Sequence, residues 1–576
     1  MIAFRRTIQL LSLGLFFLLL TLAVISFKSP ASLDLFLTLD PGLALLSTIS
    51  VRTLAVTFTP ALLVLGATLF FGRIFCGYIC PMGTTLDGGD KLFGIKRTSG
   101  GKYLNLAHLK YLVLCFLLGA ALLGVSLVFL AAPLSLITRF YGLLIHPILA
   151  LMFHKLFVLV HPLAEQLDLN AIVFVQMATP KFTTQMFILI FFGLVFFLAR
   201  LSPRFWCRNL CPSGALMAVV SMKPVMGRRV SPACTACGKC ISSCPMAAIP
   251  VKNPQRTRHE ECIVCRTCET VCPELAIRFG RAKKAQSLEK APFSPGRRRF
   301  MISGFLGAAV AATELTGLHA PADKPGPGQV APLKLIRPPG TLPEAAFLSR
   351  CVRCGECMAV CPTNTLQPIW FDAGFMGLFS PALTLRRGYC SPECTLCGHV
   401  CPTHAIRALS TKERIWAKTG TAVIYPARCL AWEQQKSCMV CDEVCPYKAV
   451  IFQKEPGNRV PVPRVDENKC AGCGYCEHYC PVRNEAAIVV TPMGSLRLSE
   501  GSYMEQGKAQ GLRLSIHAEP GAPELPVNEG GQPGFAPGFD DASTSEPYSG
   551  ENFGSPEPNK CGNRKIQSCA VKKDLR

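Results

Sequence analysis

The pattern of hydrophobic positions changes character near residue 201. Up to that point apolar residues form continuous runs, near 8–27, 52–72, 109–132 and 183–201. Each is apolar on all sides and has about the 20 residues a membrane-crossing helix needs. Arg5 and Arg6 precede the first run, Arg73, Lys91, Lys96, Arg97 and Lys102 lie between the second and third, and Arg200, Arg204 and Arg208 follow the fourth. Because cytoplasmic flanks collect Lys and Arg, the N-terminus, the 73–108 loop and the chain after 201 are expected inside, and loops 28–51 and 133–182 outside. Segment 133–182 is itself apolar and carries His146, His154 and His161 at nearly helical spacing. An interfacial helix accounts for them, with a haem-ligating or quinone-lining face as the sharper alternative. Beyond 201 the apolar positions come in short pieces, such as 405–407 and 449–451, expected as strands of small α+β units.

Cysteine spacing explains how such small units could fold. Of 31 cysteines in 576 residues, 24 fall into six clusters, each ending in Cys-Pro, a repetition foreign to disulfide frameworks. The first two runs are Cys234, Cys237, Cys240, Cys244 and Cys262, Cys265, Cys268, Cys272. This is two-cluster ferredoxin spacing, in which the fourth cysteine of each run ligates the other [4Fe–4S] cluster. One cluster would take Cys234, Cys237, Cys240 and Cys272, the other Cys262, Cys265, Cys268 and Cys244. Four more runs follow: Cys351, Cys354, Cys357, Cys361; Cys390, Cys394, Cys397, Cys401; Cys429, Cys438, Cys441, Cys445; and Cys470, Cys473, Cys476, Cys480. Together they predict six [4Fe–4S] clusters. In the last four runs, either neighbours exchange fourth ligands or the first pairs with the fourth around an inner pair. Zinc would favour two pairs of cysteines over runs of four.

Two further motifs, Cys76-x3-Cys80-Pro81 and Cys207-x3-Cys211-Pro212, follow the second and fourth apolar runs directly. If the two pairs meet, four thiols become available for an iron–sulfur cluster or zinc, or two reactive dithiols; two buried thiol pairs are the plain reading. Cys115 alone in an apolar run reads as core. Residues 296–302 hold Arg297-Arg298-Arg299-Phe300, then a mild apolar stretch and Ala320-Pro321-Ala322, the outline of a twin-arginine export signal or of a fifth membrane anchor. A Pro-rich linker at 321–343 and a Gly-, Pro-, Ser- and Glu-rich tail, expected to be disordered, flank the last module; Cys561 and Cys569 in the tail have no assigned role. The formal charge of +23 is concentrated in 200–299, with 19 Lys or Arg against 5 Asp or Glu, where it suits a membrane flank better than nucleic acid.

The expected architecture is therefore multi-domain. A four-span, or five-span, α-helical membrane bundle with the two Cys-x3-Cys-Pro motifs (1–222) precedes a two-cluster α+β ferredoxin-like module (223–290) and a signal or anchor with linker (291–343). A four-cluster α+β ferredoxin-like module (344–495) and the tail (496–576) complete it.

On these motifs the first 290 residues resemble the NapH family of membrane ferredoxins, and residues 296–490 resemble the exported ferredoxins of the MauM/NapG type. The resemblance implies a quinol dehydrogenase in the inner membrane, taking electrons from the quinone pool and passing them toward a periplasmic cytochrome or a reductase such as nitrate reductase. It implies a cytoplasmic first module and a periplasmic second one. Membrane ferredoxins of the NosR, MauN and oxidase-assembly type share the membrane half, so the acceptor follows only from the family. Two other classes fit the same motifs: a redox maturation factor for another metalloenzyme, and a membrane anchor whose clusters only stabilise its fold.

Overall fold

The apolar runs fold as helices whose lengths differ from the lengths of the runs. The computed structural model describes residues 2–24, 35–53, 56–93, 106–166, 179–281, 296–315 and 335–516. Two helical stretches are long and apolar enough to cross a membrane, Ala3–Ala23 and Pro133–Leu159. The first matches run 8–27. Runs 52–72, 109–132 and 183–201 form the shorter helices Thr59–Phe71, Leu109–Leu122 and Gln185–Phe197, the last extended by a 3-10 turn to Arg200. Four full-length spans as drawn from hydropathy are thus not found. Segment 133–182, expected to lie along the interface, supplies the second long helix instead, through a π-helical turn at Phe140–Ile145. Backbone punctuation contributes. Arg52, at the start of run 52–72, takes a left-handed φ of 59° as the cap of the preceding helix Pro41–Val51, and Gly124 takes φ of 83° inside run 109–132, just past the end of its helix.

The helices carry a module at each end. Near its start, helix Ile2–Val24 uses Arg5 and Gln9 to donate to Asp87 and to the carbonyl of Gly77, a residue that in turn abuts the Ile263 carbonyl of the first module. Its far end packs Ala23 against Val360 and Val400 of the second module. Eighteen residues of helix separate Arg5 from Ala23, about 27 Å at 1.5 Å per residue. Helix Leu109–Leu122 repeats the relation: Lys110 bonds Glu261 of the first module, while Ser126, just past the other end, accepts from Arg353 of the second.

Helix Arg297–Leu315, the segment expected as an export signal or fifth anchor, runs parallel to Leu109–Leu122. Ser303 donates to the Leu112 carbonyl and Cys115 to that of Phe300. Any side chain at Gly119 or Gly307 would strike the Gly304 or Phe116 carbonyl, so small residues set this close approach. The Ala320-Pro321-Ala322 triplet lies outside the described residues.

The first module is one antiparallel pair, Met226–Val230 with Ile277–Arg281, and two one-turn helices, Lys239–Ser242 and Thr267–Thr270. The second has three antiparallel pairs: Leu366–Pro368 with Pro381–Leu383, Thr421–Ile424 with Ile488–Thr491, and Val450–Gln453 with Val462–Val465. Stretch 449–451 falls on such a strand, whereas of 405–407 only Ile406 makes a single bridge, to Thr341.

Part of the expected disordered tail is ordered. Helix Tyr503–Ala509 is capped by Ser502, its first turn accepted by Glu413, with Tyr503 fully buried. One buried aromatic and a capped turn outweigh a polar composition here. Residues 517–576, with Cys561 and Cys569, lie outside the described residues.

Candidate metal centres

In four of the six runs the backbone repeats one unusual conformation. The residue before the second cysteine and the residue after it are both left-handed: Ala236 and Gly238, Val264 and Arg266, Arg353 and Gly355, Gly472 and Gly474. Left-handed residues between right-handed ones curl a loop so that its N–H groups and side chains point inward. Non-glycine residues there cost about 1–2 kcal/mol each, and such strain concentrates at functional sites. Glycine at four of the eight positions was the sequence signal for this curl; Ala236, Val264, Arg266 and Arg353 gave none.

Three of the four curls, all but the one around Cys354, border a cavity. One is lined by Cys234, Cys237, Cys240 and Cys272, and its neighbour by Cys262, Cys265, Cys268 and Cys244. In the second module Cys390, Cys394 and Cys397 share a cavity with Cys361, Cys470, Cys473 and Cys476 share one with Cys445, and Cys429, Cys438 and Cys441 share one with Cys480. Cys401 lies close enough to Cys351, Cys354 and Cys357 for the four thiols to feel one another's charge. Neighbouring runs therefore trade fourth cysteines, first with second and third with fourth. No set of three His, Cys, Asp or Glu among the described residues converges tightly enough for a single metal ion. Four cysteines around each cavity suit a polynuclear group whose several metal atoms each take one thiolate.

The donor set fits such a group electrostatically. Burial pushes the Cys268 and Cys441 thiols up to about 12, and Cys354, Cys357, Cys397 and Cys476 well above the ordinary thiol value. These thiols resist ionisation alone, so a metal that takes them as thiolates must also supply the compensating charge. Donors to sulfur are in place. Ala248 N–H points at Cys244 Sγ (3.3 Å), Ala422 N–H at Cys470 Sγ and Ala449 N–H at Cys445 Sγ (both 3.4 Å). Arg414 donates to Cys390 Sγ at 3.1 Å and Arg228 lies 3.6 Å from Cys240 Sγ. Hydrogen bonds to sulfur tune the potential of a bound cluster, and sequence spacing gave no hint of either arginine.

The cavities of the second module follow one another. The set around Cys354 adjoins the bundle, where Gly355 packs on Leu143 and Ser135 donates to the Val352 carbonyl. The next two sets meet where Cys390 N–H bonds the Cys473 carbonyl at 2.8 Å and Tyr389 stacks on Tyr475 with ring centres 3.9 Å apart. Elsewhere, His146, His154 and His161 lie on helix His146–Gln166; His146 Nδ1 is buried without a partner, and His161 meets Phe157 edge to face.

This combination of curled cysteine loops, sulfur-directed donors and paired cavities defines a ferredoxin-type iron–sulfur protein. Family comparison agrees: a 4Fe-4S binding domain matches residues 53–99, 184–231 and 347–367, and a 4Fe-4S dicluster domain matches 226–273 and 436–484. The methylamine utilization ferredoxin-type protein MauM of Methylorubrum extorquens is 36% identical over 212 residues, 35% of this chain and 91% of that protein. The ferredoxin-type protein NapG of Escherichia coli is 32% identical over 31% of this chain and 78% of its own length. A putative electron transport protein, YccM of Escherichia coli, is 29% identical over 47% of this chain and 68% of its own. The chain belongs to the MauM/NapG family of ferredoxin-type electron-transfer proteins and carries several 4Fe-4S domains. No solved structure matches it.

Proposed function

We propose that the chain is a membrane-embedded electron relay that oxidises quinol and delivers electrons across the bilayer to a periplasmic cytochrome or reductase. One observation carries this reading: the two ferredoxin modules contact opposite ends of the apolar helices, Glu261 of the first at Lys110 and Arg353 of the second at Ser126, and helix Ile2–Val24 spans about 27 Å from the Gly77 loop that abuts the first module to Ala23 against the second. That length is close to the hydrocarbon thickness of a membrane. Shorter apolar helices pack beside the two long ones and would complete a multi-pass domain like that of the NapH family.

In this reading the first module is cytoplasmic and the second periplasmic, and helix Arg297–Leu315 carries the chain from one side to the other. The five cysteine-lined cavities and the set of Cys351, Cys354, Cys357 and Cys401 would each hold one [4Fe–4S] cluster, which when bound supplies one-electron transfer. The protein's part is to hold the thiolates, aim N–H and arginine donors at sulfur, and keep neighbouring cavities in contact, as at Cys390 and Cys473.

The test is anaerobic mixing of the full-length protein in liposomes with a short-chain quinol while the visible absorbance and electron paramagnetic resonance (EPR) of the clusters are followed. Bleaching of the clusters by quinol is expected. Reduction by dithionite but never by quinol would remove the quinol reading and leave a maturation factor or a cluster-stabilised anchor.

A further inference from the structure

The segments around the two Cys-x3-Cys-Pro motifs are longer repeats than the cysteines alone reveal. Arg73-Ile74-Phe75-Cys76 and Cys80-Pro81-Met82-Gly83 in one match Arg204-Phe205-Trp206-Cys207 and Cys211-Pro212-Ser213-Gly214 in the other. The fold makes the repeats face each other with their arginines exchanged. Arg204 donates to the Cys76 carbonyl at 3.1 Å and lies against Gly83, where an added Cβ would sit 3.6 Å from its guanidinium. Reciprocally, an added Cβ at Gly214 would sit 2.8 Å from Arg73 Nη2 and 3.3 Å from Cys211 Sγ. Arg73 Nη2 is also 4.0 Å from Cys76 Sγ, and the Cys211 thiol lies near enough for its charge to act on the same guanidinium. Both arginines are completely buried. Each second cysteine precedes a helix that starts with proline, Pro81–Phe93 or Pro212–Val220, and Cys211 Sγ accepts from Gly214 N–H at 3.2 Å.

We infer that Cys76, Cys80, Cys207 and Cys211 form one shared site for an iron–sulfur centre, additional to the six cysteine sets of the ferredoxin modules. Each repeat supplies only two cysteines, so neither binds a cluster by itself; four thiolates are the usual complement. Cys80, Cys207 and Cys211 are buried, and the thiols sense one another's charge across the two repeats. Two further groups in the same turns point to a missing ligand. Asn209, between Cys207 and Cys211, is fully buried with neither amide atom hydrogen-bonded, and Arg73 Nε is buried without a partner. Buried polar groups left this way cost free energy unless something satisfies them. An anionic thiolate cluster also gives the two buried cations an electrostatic role that Asp87 and Glu261 fill only from the outer side. The site adjoins the first module: Gly77 abuts the Ile263 carbonyl, and Tyr78 donates to that of Val264 at 3.1 Å. It lies next to the cavity lined by Cys262 and Cys265.

The experiment compares detergent-solubilised full-length protein with a Cys76→Ser/Cys211→Ser variant, using Cys115→Ser as control. Iron, zinc and acid-labile sulfide are measured per chain, and the EPR of the reduced clusters is recorded. The inference requires the double variant to lose roughly one seventh of its iron and sulfide, one cluster in seven, with the ferredoxin-module signals retained and the control unchanged. Equal iron in variant and wild type overturns it, as does zinc in place of iron. Should the variant fail to fold, non-reducing peptide mapping of denatured wild-type protein decides: four free thiols are required, and a disulfide among them overturns the site. Because the readout is metal content, a negative result here leaves the quinol test of the relay untouched.

Discussion

The two ferredoxin modules attach to the same helices by different chemistry. The first has a small core cluster, Cys240, Ile249, Cys268 and Ile277, and two of those are cysteines. It docks through buried charge: Glu261 accepts from Lys110 at 2.6 Å and from Arg73 at 3.4 Å, with both cations fully buried. The second module docks through apolar contact. Its apolar core is continuous with that of the helices, from Phe129 and Leu143 through Val352 and Phe347 to Tyr503. Neutral acceptors complete it, as where Arg353 lies over the Phe129 ring and donates to the Ser126 carbonyl. A module with so small an apolar core depends on metal to fold and on charge to dock. A larger one shares the core of its neighbour.

Removing iron should separate the two most. With the metal chelated, residues 226–281 are expected to lose their strand pair and be cut early in limited proteolysis, while 335–516 stays associated with the helices longer. Binding free energy on the order of 10 kcal/mol is at stake in a small metal-built domain. Equal sensitivity of both modules would erase the contrast.

A smaller effect is expected from Glu261→Ala, which leaves Lys110 and Arg73 buried without their carboxylate. Breaking a buried pair costs about 3–5 kcal/mol. The first module should detach, seen as faster hydrogen exchange at 226–281 with 335–516 unchanged.

The smallest is a pH effect at the first-module end. Burial raises the Asp87 carboxyl, but Arg204, its hydrogen bonds and Arg5 outweigh burial and hold it at about 2. A depressed carboxylate contributes stability that is complete above the ordinary value of 3.8 and is lost as pH falls through about 2. Thermal midpoints of wild type and Asp87→Asn should therefore differ by a constant amount above pH 4 and converge below it. A difference that persists at the lowest pH would assign the role of Asp87 to packing.

The cysteine runs were fully legible in the sequence because ligand spacing is local: Cys-x2-Cys-x2-Cys-x3-Cys-Pro specifies a loop that wraps a cluster wherever it occurs. The number of modules and the apolar character of the first 200 residues were equally local properties. Which run lends its fourth cysteine to which could not be read, since all runs end alike; the contact between Cys361 and the 390–397 loop exists only once the strands have paired. Helix length was misjudged for a related reason. Hydropathy sums side chains, while Arg52 and Gly124 interrupt apolar runs through backbone angles that hydropathy does not register. The ordered 503–509 helix depends on a distant carboxylate, Glu413, that its own composition does not include. So too with the exchange of Arg73 and Arg204: the sequence holds two similar phrases 131 residues apart. Only the packing of the helices between them turns four separate thiols into one site, because burial and mutual orientation belong to the assembled bundle rather than to either repeat.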